Sequence, residues 1–171
     1  LYNNGNEVTV WSALEDEIIM LQTEREHKDK LPGVALPEDM IFTVDLEEAM
    51  KDKDMLVLAV PSPFVRSTAA RMREFIRKGQ VVVNVAKGIE EKTLTTLSGV
   101  IEDELPNADV AVLSGPSHAE EVGRQIPTTI VVGAKSKETA EFIQNLFMSE
   151  VFRVYTSPDV LGIEIGAALK N

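Results

Sequence analysis

Three short, almost wholly apolar runs, each followed by turn residues, constrain the fold of this chain more than any other feature. They are MLVLAV at 55–60, VVVNVA at 81–86 and DVAVLS at 109–114. A strand covered on both faces is apolar at nearly every position, whereas a strand with one solvent-exposed face alternates between apolar and polar residues. These runs therefore predict buried parallel strands. Short buried helices are the alternative, because such runs lack a decisive periodicity.

Helical patterns and further strands alternate with these runs. Helices are predicted at 14–29, 46–51, 64–77, 91–104, 137–148 and 158–171. Further strands are predicted at 8–11, 41–44, 127–134 and 151–156. This alternation favours an α/β fold, a Rossmann-like, doubly wound and mostly parallel sheet with helices on both faces. The sequence leaves open whether the later strands are antiparallel.

The opening LYNNGNEVTVW, residues 1–11, is typical of a helix end followed by a strand. Asn and Gly at 3–5 tolerate the left-handed conformation that ends helices, and Val8 to Trp11 resemble a strand. This is the middle of a βαβ unit, so we interpret the sheet as incomplete at its N-terminus. The absent first strand would be central, and its neighbours would keep unpaired backbone groups.

Composition narrows the function classes. The formal net charge of −11 argues against a nucleic-acid or anionic-membrane surface, but a phosphorylated small molecule needs only a few local cations. The chain has no Cys, which excludes disulfides, thiolate metal sites and a cysteine nucleophile within it. We predict a cytoplasmic protein with no metal site and no membrane insertion, because no apolar run approaches a membrane span.

Ligands of open α/β sheets bind beyond the carboxyl ends of the strands, where two motifs fall. In AVPSPFVR at 59–66, the prolines either simply end a strand or form a wall for a flat ligand. In NVAKGIE at 84–90, Lys87 brings an ammonium to the rim and Gly88 allows a sharp turn. A single lysine in a loop is more often merely solvated, so this motif alone does not establish a ligand-binding role for Lys87.

A third motif at the same edge is LSGPSHAEEV at 113–122, a turn of small residues before a helix start. Backbone N–H groups there could hold an anion or a polar ligand. The alternative is ordinary helix capping by Ser117, with Glu120 completing a capping box. His118 is more simply a structural or exposed histidine than a catalytic base.

The last segment, GIEIGAALKN at 162–171, is predicted to be a helix whose small residues let another element pack closely. If that face lies against the crevice, burial and a nearby cation such as Lys87 would lower the pKa of Lys170. A lysine with a lowered pKa suits proton transfer. The alternative is a surface lysine.

The ordered set VAKGIE, LSGPSHAEEV, PTTIVV and FRVYTSPDVLGIEIGAALKN resembles the bacterial NAD(P)-dependent glycerol-3-phosphate dehydrogenases, over nearly the whole chain. The resemblance implies reversible reduction of dihydroxyacetone phosphate to sn-glycerol 3-phosphate, with hydride from a reduced nicotinamide. That reaction feeds glycerophospholipid synthesis. The implied cofactor is NAD or NADP, and a homodimer is a further option.

The resemblance also implies roles for individual residues. Lys170 falls on the catalytic position, which exchanges the proton at the C2 oxygen of the substrate. Lys87 falls on a lysine that contacts both substrate and cofactor. Gly115 and Ser117 fall on substrate-contacting positions, and Ala119 falls on a cofactor-contacting one.

The sequence departs from the family where the second strand ends. Members usually carry a cation there, near the ribose, but this chain has Ser12 and Ala13 as its candidate cofactor contacts. Lys30 stands where the family often has Tyr and is a candidate to replace that cation. The nearest acids are Glu15 and Asp16. The choice between NAD and NADP therefore stays open.

Two domains follow from this resemblance. Residues 1–157 form the NAD(P)-binding domain, in which Pro61 is a further predicted cofactor contact, and residues 158–171 open a helical substrate domain. The Gly-rich loop that holds the pyrophosphate is absent from these residues, so the chain by itself is predicted to be inactive. Alternatives are a related two-domain hydroxyacid or hydroxyacyl dehydrogenase, and a non-catalytic assembly module.

Overall fold

The computed structural model describes residues 1–169, so the interpretation of Lys170 lies outside the described residues. These residues form seven strands: β1 (Thr9–Trp11), β2 (Ile41–Thr43), β3 (Met55–Leu58), β4 (Val81–Asn84), β5 (Asp109–Ser114), β6 (Thr128–Ala134) and β7 (Phe152–Ser157). The α-helices among them are α1 (Glu15–Glu24), α2 (Leu46–Met50), α3 (Val65–Met72), α4 (Leu97–Glu104), α5 (Ala119–Gly123), α6 (Lys137–Phe147) and α7 (Val160–Leu169).

The larger sheet has five strands in the order β3-β4-β5-β6-β7. Every neighbouring pair is parallel except β5 and β6, which are antiparallel. The segment between β5 and β6 holds the five-residue helix α5, which is too short to cover a sheet face as a parallel crossover requires. The predicted α/β fold with a mostly parallel sheet is confirmed, and the structure supplies the antiparallel pair that the sequence left open.

Strands β1 and β2 form a separate parallel pair, in which Thr9 lies opposite Ile41 and Trp11 opposite Thr43. Among the described residues no ladder joins this pair to the five-stranded sheet. The side chain of Arg71 on α3 lies over the Trp11 ring at 5.0 Å and connects the two parts. The strand between them that the sequence suggested stays a prediction.

The five-stranded sheet is covered on both faces. On β4, Val82 belongs to the core with α3 and α4, whereas Val83 belongs to the core with α6. Both side chains are fully buried. Because successive strand residues point to opposite faces, a strand between two cores must be apolar at consecutive positions, and this explains the VVV run.

Three predicted helices have different bounds in the structure. The helix predicted at 64–77 ends at Met72. The helix predicted at 14–29 ends at Glu24, because Arg25 adopts a left-handed conformation with φ 50°. The helix predicted at 91–104 begins only at Leu97, because the Thr96 side chain accepts the Gly99 backbone N–H and caps it there. Residues 89–96 instead form a loop closed by a bridge between the ends of that segment.

The first residues follow the sequence prediction. Tyr2–Asn4 form one 3₁₀ turn, and Gly5 ends it in the left-handed region with φ 84°. The Asn4 side chain donates to the carbonyl oxygens of Leu146 and Met148 at the end of α6. The opening turn is thereby attached to α6, a helix that packs on one face of the five-stranded sheet.

The glycines of α7 do not provide the predicted close packing, whereas Ala167 lines a cleft together with Lys87 and Gly88. Gly166 is exposed and nothing lies within 4 Å of its Cβ position. The close approach occurs on the strand side, where a Cβ on Gly133 of β6 would lie 3.2 Å from the Cα of Val160. A glycine on the sheet, and not the glycines of α7, therefore lets this helix pack.

Candidate functional site

The loops after β4 and β5 meet through Lys87 and Gly115. The buried Asn84 side chain accepts the Ala86 N–H and donates to the Ala86 carbonyl, which turns the chain at the strand end. Lys87 Nζ then lies 3.0 Å from the Gly115 carbonyl oxygen and donates to it. As the sequence predicted, these two motifs converge at the carboxyl edge of the sheet, because neighbouring parallel strands end together.

The Pro-Ser-Pro turn after β3 lies at the same edge. Gly88 has φ 131°, and a Cβ there would lie 3.4 Å from the Cβ and Oγ of Ser62. Side chains rarely adopt this φ, so glycine is required for the loop to lie against the turn. Pro61, the predicted cofactor contact, is the first residue of that turn and is exposed. All three sequence motifs therefore share one edge.

The crevice floor contains a buried hydroxyl without a partner. A narrow cleft is lined by Lys87, Gly88, Ser114 and Glu164, among others. Ser114 Oγ is buried and has no hydrogen-bond partner in the described part of the chain. Buried hydroxyls are usually paired, so this one offers hydrogen-bonding capacity to a polar group entering the cleft.

The small-residue turn after β5 differs from the predicted capping box. Ser117 N–H donates to the Gly115 carbonyl at 2.8 Å, which closes a tight turn. Helix α5 begins after it with His118 at the N-cap and no side-chain cap, so capping by Ser117 and Glu120 is wrong. With five residues, α5 is also too short to carry a strong N-terminal dipole. Ala119 is exposed at its start.

A second polar cluster lies at the end of β1, and we call Ser12, Glu17, His27 and Lys30 the β1 cluster. Glu17 Oε1 accepts from His27 Nε2 at 2.9 Å and from Lys30 Nζ at 2.5 Å, and Glu17 Oε2 accepts from Ser12 Oγ. Partial burial would raise the pKa of Glu17, but the bonds from Lys30, Ser12 and His27 lower it to about 2.

The β1 cluster changes the interpretation of the candidate cofactor residues. Ser12 and Lys30 meet through Glu17, while Ala13 is exposed beside them. Lys30 is therefore an ion-paired cation. The acids noted in the sequence, Glu15 and Asp16, are exposed, and the carboxylate that binds Ser12 belongs to the next residue.

Another residue that the sequence reasoning missed is Glu164. It is 6% exposed and accepts from the Ser98 backbone N–H at 2.8 Å and from the Ser98 hydroxyl. This contact fixes α7 to the first turn of α4. The sequence feature that could have identified it is a single acid inside the apolar stretch GIEIGAAL, because a buried carboxylate needs a hydrogen-bonding partner.

The divided α/β sheet and the loops at its carboxyl edge define the class of Rossmann-like dinucleotide-binding domains. Residues 1–140 match the family described as NAD-dependent glycerol-3-phosphate dehydrogenase N-terminus. The chain belongs to this family.

Individual proteins of this family are similar to the chain over its whole length or nearly so. The chain is 63% identical, over its whole length and 51% of the relative, to a glycerol-3-phosphate dehydrogenase [NAD(P)+] of Agathobacter rectalis. It is 47% identical to the one of Bacillus subtilis, over its whole length and 50% of that protein. The crystal structure of glycerol-3-phosphate dehydrogenase from Coxiella burnetii superposes with a TM-score of 0.92 at 26% identity, over 98% of this chain and 51% of that one. The chain spans about half the length of these relatives.

Among residues 1–169, no helix is both long and apolar enough to cross a membrane.

Proposed function

We propose that this chain contributes the dinucleotide-binding half of an enzyme that interconverts dihydroxyacetone phosphate and sn-glycerol 3-phosphate with NAD(H) or NADP(H). Family membership supports the class of reaction. The observation that carries the proposal is the bond from Lys87 Nζ to the Gly115 carbonyl, because it holds a cation where a phosphorylated, carbonyl-bearing substrate would need one. The reaction would feed glycerophospholipid synthesis.

The donor set at the edge fits a nicotinamide dinucleotide and a small anion. The ammonium of Lys87, the open hydroxyl of Ser114 and the backbone of the Gly88 loop all border one cleft. The bound nicotinamide supplies or accepts the hydride. Lys87 stabilises negative charge on the substrate, and a fixed cation is effective here because it needs no reorganisation when charge develops.

The remaining roles are proposals carried over from the family. Gly115 and Ser117 would contact the substrate. The residues proposed to contact the cofactor are Lys87, Ala119, Ser12, Ala13, Lys30 and Pro61. Lys170, which lies outside the described residues, would exchange the proton at the C2 oxygen. We also propose residues 1–157 as the NAD(P)-binding domain and 158–171 as the opening of a helical domain. The cytoplasmic location and the homodimer stay predictions.

The test uses an enzyme in which these 171 residues replace the aligned segment of the Agathobacter rectalis relative, called here the completed enzyme. Oxidation of NADH and NADPH is followed with dihydroxyacetone phosphate. We expect turnover with at least one cofactor, and Lys87→Met should lower kcat/KM by about a hundredfold or more. Lys92→Met, an exposed lysine of the same loop, is the matched control and should stay within about twofold.

The proton-transfer role of Lys170 has its own test in the completed enzyme. Lys170→Ala should lower kcat far more than it weakens cofactor binding. A kcat within about threefold of the unsubstituted enzyme, roughly 0.7 kcal/mol of barrier, would show that the assigned role is wrong.

The alternatives predict other results. Turnover of hydroxyacids or hydroxyacyl thioesters, without dihydroxyacetone phosphate, would indicate a related dehydrogenase. A well-folded completed enzyme without any turnover would favour an assembly module. The 171 residues by themselves should give no measurable turnover, because they contain no Gly-rich pyrophosphate loop.

A further inference from the structure

The β1 cluster centres on one carboxylate with three donors. The Glu17 side chain is 18% exposed, whereas that of Lys30 is 67% exposed. The ammonium thus reaches into solvent while the acid that pairs with it is held inside. Ser12, the first residue after β1, donates to the same carboxylate, so the cluster is attached directly to the strand end.

The hydrogen bonds determine the charge of the cluster. His27 Nδ1 accepts the Lys30 backbone N–H at 3.2 Å, so the ring proton sits on Nε2, which donates to Glu17. Glu17 and Lys30 carry opposite charges that offset each other.

The carboxylate still has capacity to accept a hydrogen bond. Each carboxylate oxygen has about two acceptor positions. Oε1 uses both, for His27 and Lys30, whereas Oε2 accepts only from Ser12. One position on Oε2 is left for a hydroxyl of a ligand.

In Rossmann-like domains the residues after the second strand face the ribose of the adenosine. An acid there binds the 2′-hydroxyl of NAD, and a cation accommodates the 2′-phosphate of NADP. The β1 cluster occupies this position if the proposed function holds, and the inference rests on it. We propose that Glu17 determines the cofactor preference: it neutralises the Lys30 ammonium that would otherwise attract a 2′-phosphate, offers Oε2 to a 2′-hydroxyl, and thereby favours NADH over NADPH.

The test measures cofactor binding and therefore needs no turnover. Dissociation constants of NADH and NADPH for the completed enzyme are obtained from nicotinamide fluorescence. Glu17→Gln keeps an acceptor oxygen for Lys30 and places an amide N–H, which Ser12 Oγ can accept, at the other position, but it removes the charge. It should shift the ratio of the two constants toward NADPH by at least about tenfold. Lys30→Met added to Glu17→Gln should remove most of that gain.

A matched control is available on the same helix. Glu24 pairs with Lys28 at 2.8 Å, and both side chains are about half exposed. Glu24→Gln changes the net charge by the same amount as Glu17→Gln but lies outside the β1 cluster. It should leave the ratio within about twofold.

Lys30→Met alone is a second variant, at an exposed side chain where folding is not in question. It leaves the charge of Glu17 unopposed, so the affinity for NADPH should fall at least about threefold more than the affinity for NADH. A ratio unchanged in both Glu17→Gln and Lys30→Met would overturn the inference. An equal shift of this ratio in Glu24→Gln would also overturn the inference, because the shift would then follow from the net charge of the protein alone.

These results are separable from the proposed reaction. A shifted binding ratio without reduction of dihydroxyacetone phosphate would support the role of Glu17 and contradict the reaction. Normal reduction with an unshifted ratio would support the reaction and contradict the role of Glu17. Failure of the folded completed enzyme to bind either dinucleotide would overturn both.

Discussion

Arg66 and Glu90 form a bidentate ion pair, with Nε 2.6 Å from Oε1 and Nη2 2.8 Å from Oε2. Arg66 lies at the start of α3, and Glu90 lies three residues after Lys87 in the same loop. The same guanidinium also donates to Glu104 at the end of α4, at 2.8 Å. One arginine therefore holds the lysine loop against two helices.

This ion pair predicts a loss of stability in acid. The hydrogen bonds from Arg66 and then Thr93 lower the pKa of Glu90 from 4.5 to about 2. A lowered carboxyl pKa stabilises the fold fully above 4.5, and this contribution is lost as the pH falls toward about 2. The free energy of unfolding of the completed enzyme should therefore exceed that of Glu90→Gln most at neutral pH, with a gap that narrows below about pH 4.5.

The measurement is urea unfolding at several pH values from about 6 to about 3. Glu91→Gln, at the exposed neighbouring residue, is the matched control and should change the free energy of unfolding by less than about 0.5 kcal/mol at neutral pH. A gap for Glu90→Gln that does not depend on pH would contradict the assignment.

The core between the sheet and α4 should be sensitive to truncation. Ile101 is fully buried, and Ile101→Ala removes three carbons from a close-packed site. We expect a loss of about 2–5 kcal/mol in the free energy of unfolding, measured by urea denaturation. Leu94→Ala is the control, because Leu94 is 79% exposed; a comparable loss there would indicate that the burial is misassigned.

The contact between Glu164 and Ser98 should stabilise the packing of α7 on α4. Glu164→Ala leaves the buried Ser98 N–H without its partner and leaves the Ser98 hydroxyl with only the longer contact to Thr96 Oγ1 at 3.3 Å, which should cost about 1–3 kcal/mol. Glu164→Gln keeps an acceptor oxygen and should cost less. A double-mutant cycle with Ser98→Ala measures the coupling.

The control for Glu164 is Glu102. Glu102 on α4 forms an ion pair with Lys135, which follows β6, at 2.8 Å, but both of these side chains are more exposed than Glu164. Glu102→Gln should change the free energy of unfolding by less than about 1 kcal/mol. A Glu164→Ala variant as stable as Glu102→Gln would show that the buried contact does not form.

Gly115 should tolerate no side chain. A Cβ there would lie 3.0 Å from the Ile130 Cα and from the Thr129 carbonyl oxygen, both of them backbone atoms. Gly115→Ala should therefore lower the melting temperature and, by shifting the carbonyl that binds Lys87, also lower kcat/KM. Gly166→Ala has open space around it and a helical position, so it should be neutral or stabilising by up to about 1 kcal/mol. Equal melting temperatures would contradict this steric account.

How far the sequence predicts the site depends on how local each contact is. Lys87 and Gly115 follow neighbouring strands, and parallel strands end at one edge, so their meeting could be predicted. Glu17 lies five residues beyond Ser12 on the far side of a loop, and Lys30 is thirteen residues further on. Their convergence depends on where α1 ends, and the left-handed Arg25 that ends it has no reliable sequence signal.

The sequence by itself determined the α/β class. Consecutive apolar residues such as Val82 and Val83 pack into two cores on opposite faces of the sheet, as in a strand covered by helices on both sides. It also determined the family, through motifs whose order is specific. Only the tertiary structure decided which charges cancel and which polar groups are buried. The Glu164–Ser98 contact joins residues 66 positions apart, and the strength of such a contact depends on burial, which a chain acquires only when its elements pack.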